Sequence, residues 1–467
     1  MRRALSLVLL ALGATALAAP FGDGTYDSTL HGSDTRGVAR VAGVEKGDCS
    51  HCHSSHGSGA TAGTTTHGML LFAANDDQLC FECHAGHGAE KVFLGQLEAE
   101  TNAHAVSGAF RWPGPDPPAR PGVDTGKCLN CHDPHGAADN QGLIPSMNVA
   151  REEGECLACH DLSGPATDDI QRELQRAYAH PTLTTGGRHA VDEGGDPNAF
   201  GVTARHAECE DCHNPHAARE TSGTAIAPFA NEPLRGVSSL AVQNGAPGTV
   251  PNFTWRDGSQ NLLQGPQEYE VCFKCHSSWS NLGTGQEDLA LTTNPNNPSG
   301  HPIQGQGGDP NIRPESFVNG WNASSVTRCS DCHGSADPNA PAGPHGSDQR
   351  WLLKGWHPSN QAYQVTRSNA LCFQCHRRGT YADDDASDTV KAYSRFNDPA
   401  GDGHTYHVDK REVPCTACHV SHGPTNQPSM IWVDGNPRIQ SYTQTATGGS
   451  CAASCHETES YSINYPR

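Results

Sequence analysis

Twenty cysteines fall into ten pairs, and a histidine follows every pair directly. Nine pairs read Cys-x-x-Cys-His. They are Cys49 and Cys52 with His53, Cys80 and Cys83 with His84, Cys128 and Cys131 with His132, Cys156 and Cys159 with His160, and Cys209 and Cys212 with His213. Then come Cys272 and Cys275 with His276, Cys329 and Cys332 with His333, Cys372 and Cys375 with His376, and Cys415 and Cys418 with His419. The tenth pair, Cys451 and Cys455 with His456, has one extra residue between its cysteines. Disulfides or zinc knuckles would account for paired cysteines, but neither demands a histidine after each pair. Covalent haem c does. Two thiols add to the two vinyl groups of one porphyrin, and the adjacent histidine is aimed at the iron as proximal ligand. The motifs therefore predict ten covalent haem c groups.

The motifs alternate in context. Odd ones often carry a histidine three residues on, as in CHSSH, CHDPH, CHNPH and CHVSH, whereas even ones often contain Phe, as in LCFECH, VCFKCH and LCFQCH. A period of two motifs makes the structural unit a dihaem module, repeated five times. Its expected boundaries are 19–98, 99–175, 176–295, 296–398 and 399–467, behind a leader at 1–18.

Composition fits such a chain. Only 35% of residues are hydrophobic, and 51 Gly with 32 Pro favour turns over long helices or sheets. The expected fold is mostly irregular and loop-rich, with short α-helices and haem in place of an aliphatic core. Residues 1–18 have a basic start (Arg2, Arg3), an apolar run and a small-residue ending at Ala18, the pattern of an export signal. No later stretch approaches the apolar length of a membrane span. The first cysteine is Cys49, so none sits at the cleavage point to carry a lipid. A soluble protein of the periplasm or the cell exterior is expected. A formal charge of −20 argues against nucleic acid or an anionic membrane surface as partner.

Each iron also needs a sixth ligand. Met69, Met147 and Met430 are too few, so histidines are the candidates. Five follow the odd motifs: His56, His135, His216, His345 and His422. Five stand upstream of them beside small residues: His31, His104, His180, His301 and His404. Spacing favours pairing each even-motif histidine with the next upstream-type one (His84 with His104, His160 with His180, His276 with His301, His376 with His404) over pairing the upstream histidine with the following odd motif. His51, His67, His87, His189, His206, His357 and His407 remain over, and His407 is the nearest rival to His404.

Two helices are expected, over 168–180 and 89–104, each ending in a proposed distal histidine. Residues 217–265 contain turn signals between short apolar stretches and read first as a loop, with a hairpin or partner surface as the alternative. The run YADDDASD (381–388) reads as a solvated acidic turn rather than a cation site.

On its ten motifs the chain resembles multihaem c-type cytochromes of the doubled-CXXCH kind. That resemblance implies electron transfer in anaerobic respiration, with other redox proteins, a porin or a metal-oxide acceptor as partners. No catalytic residue is assigned. A rival reading is an oxyanion reductase with one open iron, for which the tenth site is the candidate. A further one is a homopolymer, with His31 of one copy closing the tenth site of the next.

Overall fold

The computed structural model describes residues 26–29, 31–54, 71–72, 77–84, 104, 128, 131–132, 134–135, 153–157, 159–162, 166–183, 207–219, 225–280, 282, 285–307, 311–357, 370–397 and 403–463. The leader, the proposed 89–104 helix apart from His104, and His56, His67, His87, His189 and His206 lie outside the described residues. The chain divides into two compact units, Met1–Glu90 with Val106–Val149, and Lys91–Ala105 with Ala150–Arg467. Among the described residues, no helix is long and apolar enough to cross a membrane. Loops dominate, as the glycine and proline content leads one to expect.

In the first unit, turns carry His31 and the first motif, and a short helix α1 (Asp77–His84) carries the second. Asp48 starts the turn at Cys49–His51 by accepting a hydrogen bond from the Ser50 amide. His51 is buried with both ring nitrogens used, Nδ1 accepting from the Val41 amide and Nε2 donating to the Glu45 carbonyl. It is a structural residue of this loop.

Among the described residues, the second unit holds three small antiparallel sheets and several one-turn helices. Helix α2 (Glu153–Leu157) leads into the fourth motif, and α3 (Ile170–Leu174) follows, with Asp169 capping it at the Arg172 amide. The expected helix over 168–180 ends there. Tyr178–Ala179 (β1) instead pairs with Gly346–Ser347 (β2), while Arg176, between α3 and β1, pairs with the buried Glu173 and with the more exposed Asp337 and Asp348.

Residues 239–256 form a hairpin rather than a loop, β3 (Ser239–Gln243) against β4 (Asn252–Arg256). Leu240 opposes Trp255 and Val242 opposes Phe253, so alternation puts all four on one face. That face packs on α4 (Glu268–His276), where Tyr269 and Phe273 complete a core with Ala290 and Ile303. Helix α4 is held at its start by a reciprocal Gln267–Glu270 capping box and carries the sixth motif. A smaller core of Ala370, Phe373, Ala382 and Val408 lies beneath the eighth and ninth motifs. The acidic turn after Tyr381 is pinned rather than freely solvated: Asp384 meets Lys391 at 3.6 Å and Lys410 at 3.5 Å.

The chain ends in a three-stranded meander, β5 (Ile439–Thr445), β6 (Gly448–Ala453) and β7 (His456–Ser462). This sheet contains the irregular tenth motif.

Candidate haem sites

Each regular motif folds as one helical turn. The histidine amide donates to the carbonyl of the first cysteine at 2.8–2.9 Å in His53, His132, His160, His213, His333, His376 and His419. Three- and four-residue spacing then puts both thiols and the imidazole on one side. None of the twenty cysteines is in a disulfide. The tenth motif is built differently. Cys451 lies in β6, opposite Glu459, and the chain turns at Ser454–Cys455 so that His456 begins β7. The extra residue belongs to a hairpin turn.

The motif histidines meet the remaining histidines in pairs. Even-motif histidines face the upstream histidine of their own repeat: His31 and His84 at 6.0 Å between ring centres, His104 and His160 at 6.2 Å, His180 and His276 at 6.4 Å, His301 and His376 at 6.3 Å. Odd-motif histidines face the follower histidine of the next repeat: His53 and His135 at 6.2 Å, His213 and His345 at 6.1 Å, His333 and His422 at 6.3 Å. In the fifth repeat His419 faces His404 at 6.0 Å and His456 faces His407 at 6.3 Å.

This order differs from the one spacing suggested. His84, His160, His276 and His376 face the upstream-type histidine that precedes them, and His31 stands against His84 of its own chain. The physical reason is a clasp that sequence gaps do not report. His31 Nδ1 bonds the Pro134 carbonyl, His104 that of Pro215, His180 that of Pro344 and His301 that of Ser421. In each case the acceptor immediately precedes a follower histidine. At two clasps the backbone joins too, His180 N–H donating to His345 O at 3.2 Å and His301 N–H to His422 O at 2.9 Å. The upstream and follower histidines thus travel together and serve two different motifs.

Small residues make the clasp possible. A Cβ on Gly423, beside His422, would stand 2.8 Å from Thr292 O and 2.9 Å from Gly300 Cα, and Gly300 itself precedes His301. In the last repeat both partner histidines come from one segment. His404 precedes the π-helical turn Tyr406–Lys410 that carries His407, and the Phe396 ring lies 5.2 Å from the first and 5.4 Å from the second.

The ring spacing fits a metal held between two imidazoles. A metal–imidazole bond of about 2 Å on each side, with roughly 1 Å more to each ring centre, adds to about 6 Å, the spacing seen. The hydrogen-bonded nitrogen is Nδ1 at His213 (to Pro233 O), His333 (Trp351 O), His419 (Ser429 O), His407 (Gly403 O) and His422 (Glu287 Oε2). An Nδ1–H donor leaves Nε2 as the lone-pair nitrogen, the tautomer a ligand needs. Burial disfavours the imidazolium as well. His345 is pushed down to about 3 and His376 to about 4 by burial and by neighbouring histidines. His404 is pushed down to about 3 for the same reasons. All three are neutral, as ligation requires.

Neighbouring motifs are locked to each other within the second unit. Glu268 accepts hydrogen bonds from the amide and hydroxyl of Ser330, joining the sixth motif to the seventh. The buried Lys274, inside the sixth motif, donates to the Asp211 carbonyl inside the fifth. The Cys272 thiol hydrogen bonds with Cys329, and that of Cys372 with Cys415. These thiols stand where thioether sulfurs would be.

Among the residues expected as distal ligands, nine of the ten are described, and His56 is not. His407 was legible only as a rival to His404, because nothing local in the sequence shows that it meets His456. Phe396 and the left-handed pairs Trp351–Leu352 and Ser429–Met430, whose carbonyls anchor His333 and His419, had no signal in the sequence.

No curated protein and no solved structure matches the chain. The doubled CXXCH motif family matches at 42–89, 121–163 and 323–380, and each stretch spans an odd motif and the even one after it, which supports a multihaem c-type cytochrome with covalently bound haem c, a class that generally transfers electrons.

Proposed function

We propose that the chain is a decahaem electron carrier in which two histidines close the iron at nine or more sites. The observation that carries this reading is the recurrence of nine histidine pairs at 6.0–6.4 Å, each containing one motif histidine. The twenty cysteines are the covalent anchors, and His53, His84, His160, His213, His276, His333, His376, His419 and His456 are the proximal partners in those pairs. His132, of the third motif, is the proximal histidine of the remaining site.

Bound haem c supplies a one-electron iron couple. The chain's histidines occupy both faces of the site, so a substrate would have to displace an imidazole to bind. Histidine rather than methionine as second partner keeps the potentials low. Motifs tied directly to one another by Glu268, Lys274 and the cysteine contacts hold adjacent sites at fixed separation. The reading is therefore transfer rather than catalysis.

Export by the leader at 1–18 would place the protein in the periplasm or outside the cell, in anaerobic respiration as its resemblance implies. A charge of −20 selects redox partners with basic docking faces, with salt-sensitive association.

The mass and spectrum of the purified holoprotein test this. The expected result is a chain beginning at Ala19 that carries ten haems, with the near-infrared band of bis-histidine ferric haem accounting for at least nine. A lower haem count, or high-spin iron at the paired sites together with turnover of an oxyanion such as nitrite, would overturn it.

A further inference from the structure

The nine histidine pairs sort by ring orientation as well as by partner. At the odd motifs the two planes are nearly parallel: 9° for His53 and His135, 18° for His213 and His345, 22° for His333 and His422, 21° for His404 and His419. At the even motifs they are crossed: 56° for His31 and His84, 77° for His104 and His160, 59° for His180 and His276, 50° for His301 and His376, 56° for His407 and His456. None of these nine pairs falls between 22° and 50°.

We propose that the chain imposes two axial geometries in alternation, parallel imidazoles at odd motifs and crossed imidazoles at even ones. This rests on the bis-histidine reading above and extends it.

In at least eight of the nine pairs a hydrogen bond holds one of the two rings. His333 and His419 are held by the same device. Each forms a β-bridge, to Leu353 and Ile431 respectively, and each Nδ1 bonds a carbonyl two residues before its bridge partner, at 2.8 Å (Trp351) and 3.0 Å (Ser429). Those carbonyls are aimed by consecutive left-handed residues, Trp351 and Leu352 at φ 61° and 54°, and Ser429 and Met430 at φ 54° and 57°. Non-glycine residues adopt that conformation at a cost, and two successive ones recurring at the same place mark a device held by its surroundings. Four even sites use the other anchor, the clasp carbonyls of Pro134, Pro215, Pro344 and Ser421, on their upstream histidines, and at the fifth His407 Nδ1 bonds the Gly403 carbonyl. The last repeat shows that the class follows the motif and not the source of the partner. His404 and His407 come from one segment, yet the first is parallel to His419 and the second crossed with His456.

The chemical consequence is electronic. Each imidazole donates π density perpendicular to its own plane. Two parallel rings raise one iron d orbital of the π pair above the other, whereas crossed rings raise both. The unpaired electron of the ferric state then has two different surroundings along one chain. Second-shell hydrogen bonds are the lever that fixes which one each site receives.

Electron paramagnetic resonance of the fully oxidised holoprotein tests this directly. The expected spectrum contains two low-spin populations of nearly equal integrated weight, an ordinary rhombic one from the parallel sites and a large-g, strongly anisotropic one from the crossed sites. His404→Ala should take one site's share from the rhombic population alone, and His407→Ala one share from the anisotropic population alone. A single low-spin population, or losses from the same population in both variants, would overturn the proposal. The near-infrared bis-histidine band, read on the same samples, separates the two levels. Its presence with a single population sinks only the alternation, whereas its absence sinks the bis-histidine reading itself. The wild-type spectrum decides the matter even if a variant fails to fold.

Discussion

His404 and His407 stand one turn apart and face different motif histidines, His419 at 6.0 Å and His456 at 6.3 Å. Phe396 packs against both and against Tyr461, which lies in the same strand as His456. The terminal repeat thereby supplies from one segment what earlier repeats take from two.

Replacing His407 with Ala should open one site and leave the others closed. The oxidised protein should gain one high-spin haem, and the reduced protein should bind one equivalent of carbon monoxide where the wild type binds none at the paired sites. His357→Ala is the control. That ring is buried too, but its Nε2 is engaged with Ser421 Oγ and it lies edge-on to Trp351, so its loss should leave the spin state unchanged. Absorbance and carbon monoxide titration of both variants check this.

Gly346 follows His345 in the β1–β2 ladder, and a Cβ there would run into the backbone carbonyl of Glu173. Backbone cannot move aside as a flexible side chain would. Gly346→Ala should therefore cost about 1–3 kcal/mol, as overpacking does. It should also push His345 away from His213, weakening a contact set at 6.1 Å. A lowered denaturation midpoint with a rise in high-spin signal is expected; an unchanged midpoint would show that the ladder has room.

Much of this arrangement was legible in the motifs. Ten Cys-His groupings and the poverty of aliphatic residues are enough to place a loop-rich chain around haem, since no other source of core is available. The alternation of odd and even contexts also reports a repeat of two. What the sequence conceals is long range. His333 meets His422, and His213 meets His345, across intervening motifs, and nothing local distinguishes those partners from nearer ones. Turn signals in 217–265 likewise left loop and hairpin undecided, because the pairing is settled by packing of Leu240 and Trp255 on Phe273, outside the hairpin. The tenth motif looks irregular in sequence because it is a helical-turn motif rewritten for a β-hairpin.

Leu240 is fully buried at the centre of the core that seats the sixth motif. Leu240→Ala should cost about 2–4 kcal/mol through lost burial and the cavity left behind. Because Phe273 lies between Cys272 and Cys275, the loss should appear as poorer haem attachment at that motif as well as a lower melting temperature. Peptide mass mapping of haem on the segment containing Cys272, alongside thermal unfolding, distinguishes this from a purely global effect.

Burial raises the Glu268 carboxyl above its ordinary value, and the hydrogen bonds from Ser330 with the nearby Arg328 offset this only in part. A carboxyl whose folded pKa is raised holds its proton more tightly in the folded state than in the unfolded one. Its contribution to stability is therefore best at low pH. It declines as pH climbs through the unfolded value of about 4.3 and levels off above the folded one. Glu268→Gln keeps an acceptor for the Ser330 amide and a donor for its hydroxyl, and removes the titration. The variant should match the wild type below pH 4.3 or so and exceed it in stability near neutrality. Denaturant unfolding at several pH values, followed by Soret absorbance, reads the difference. A variant less stable than the wild type at pH 7 would show that the ionised carboxylate, with Arg328 and Ser330, holds the sixth and seventh motifs together.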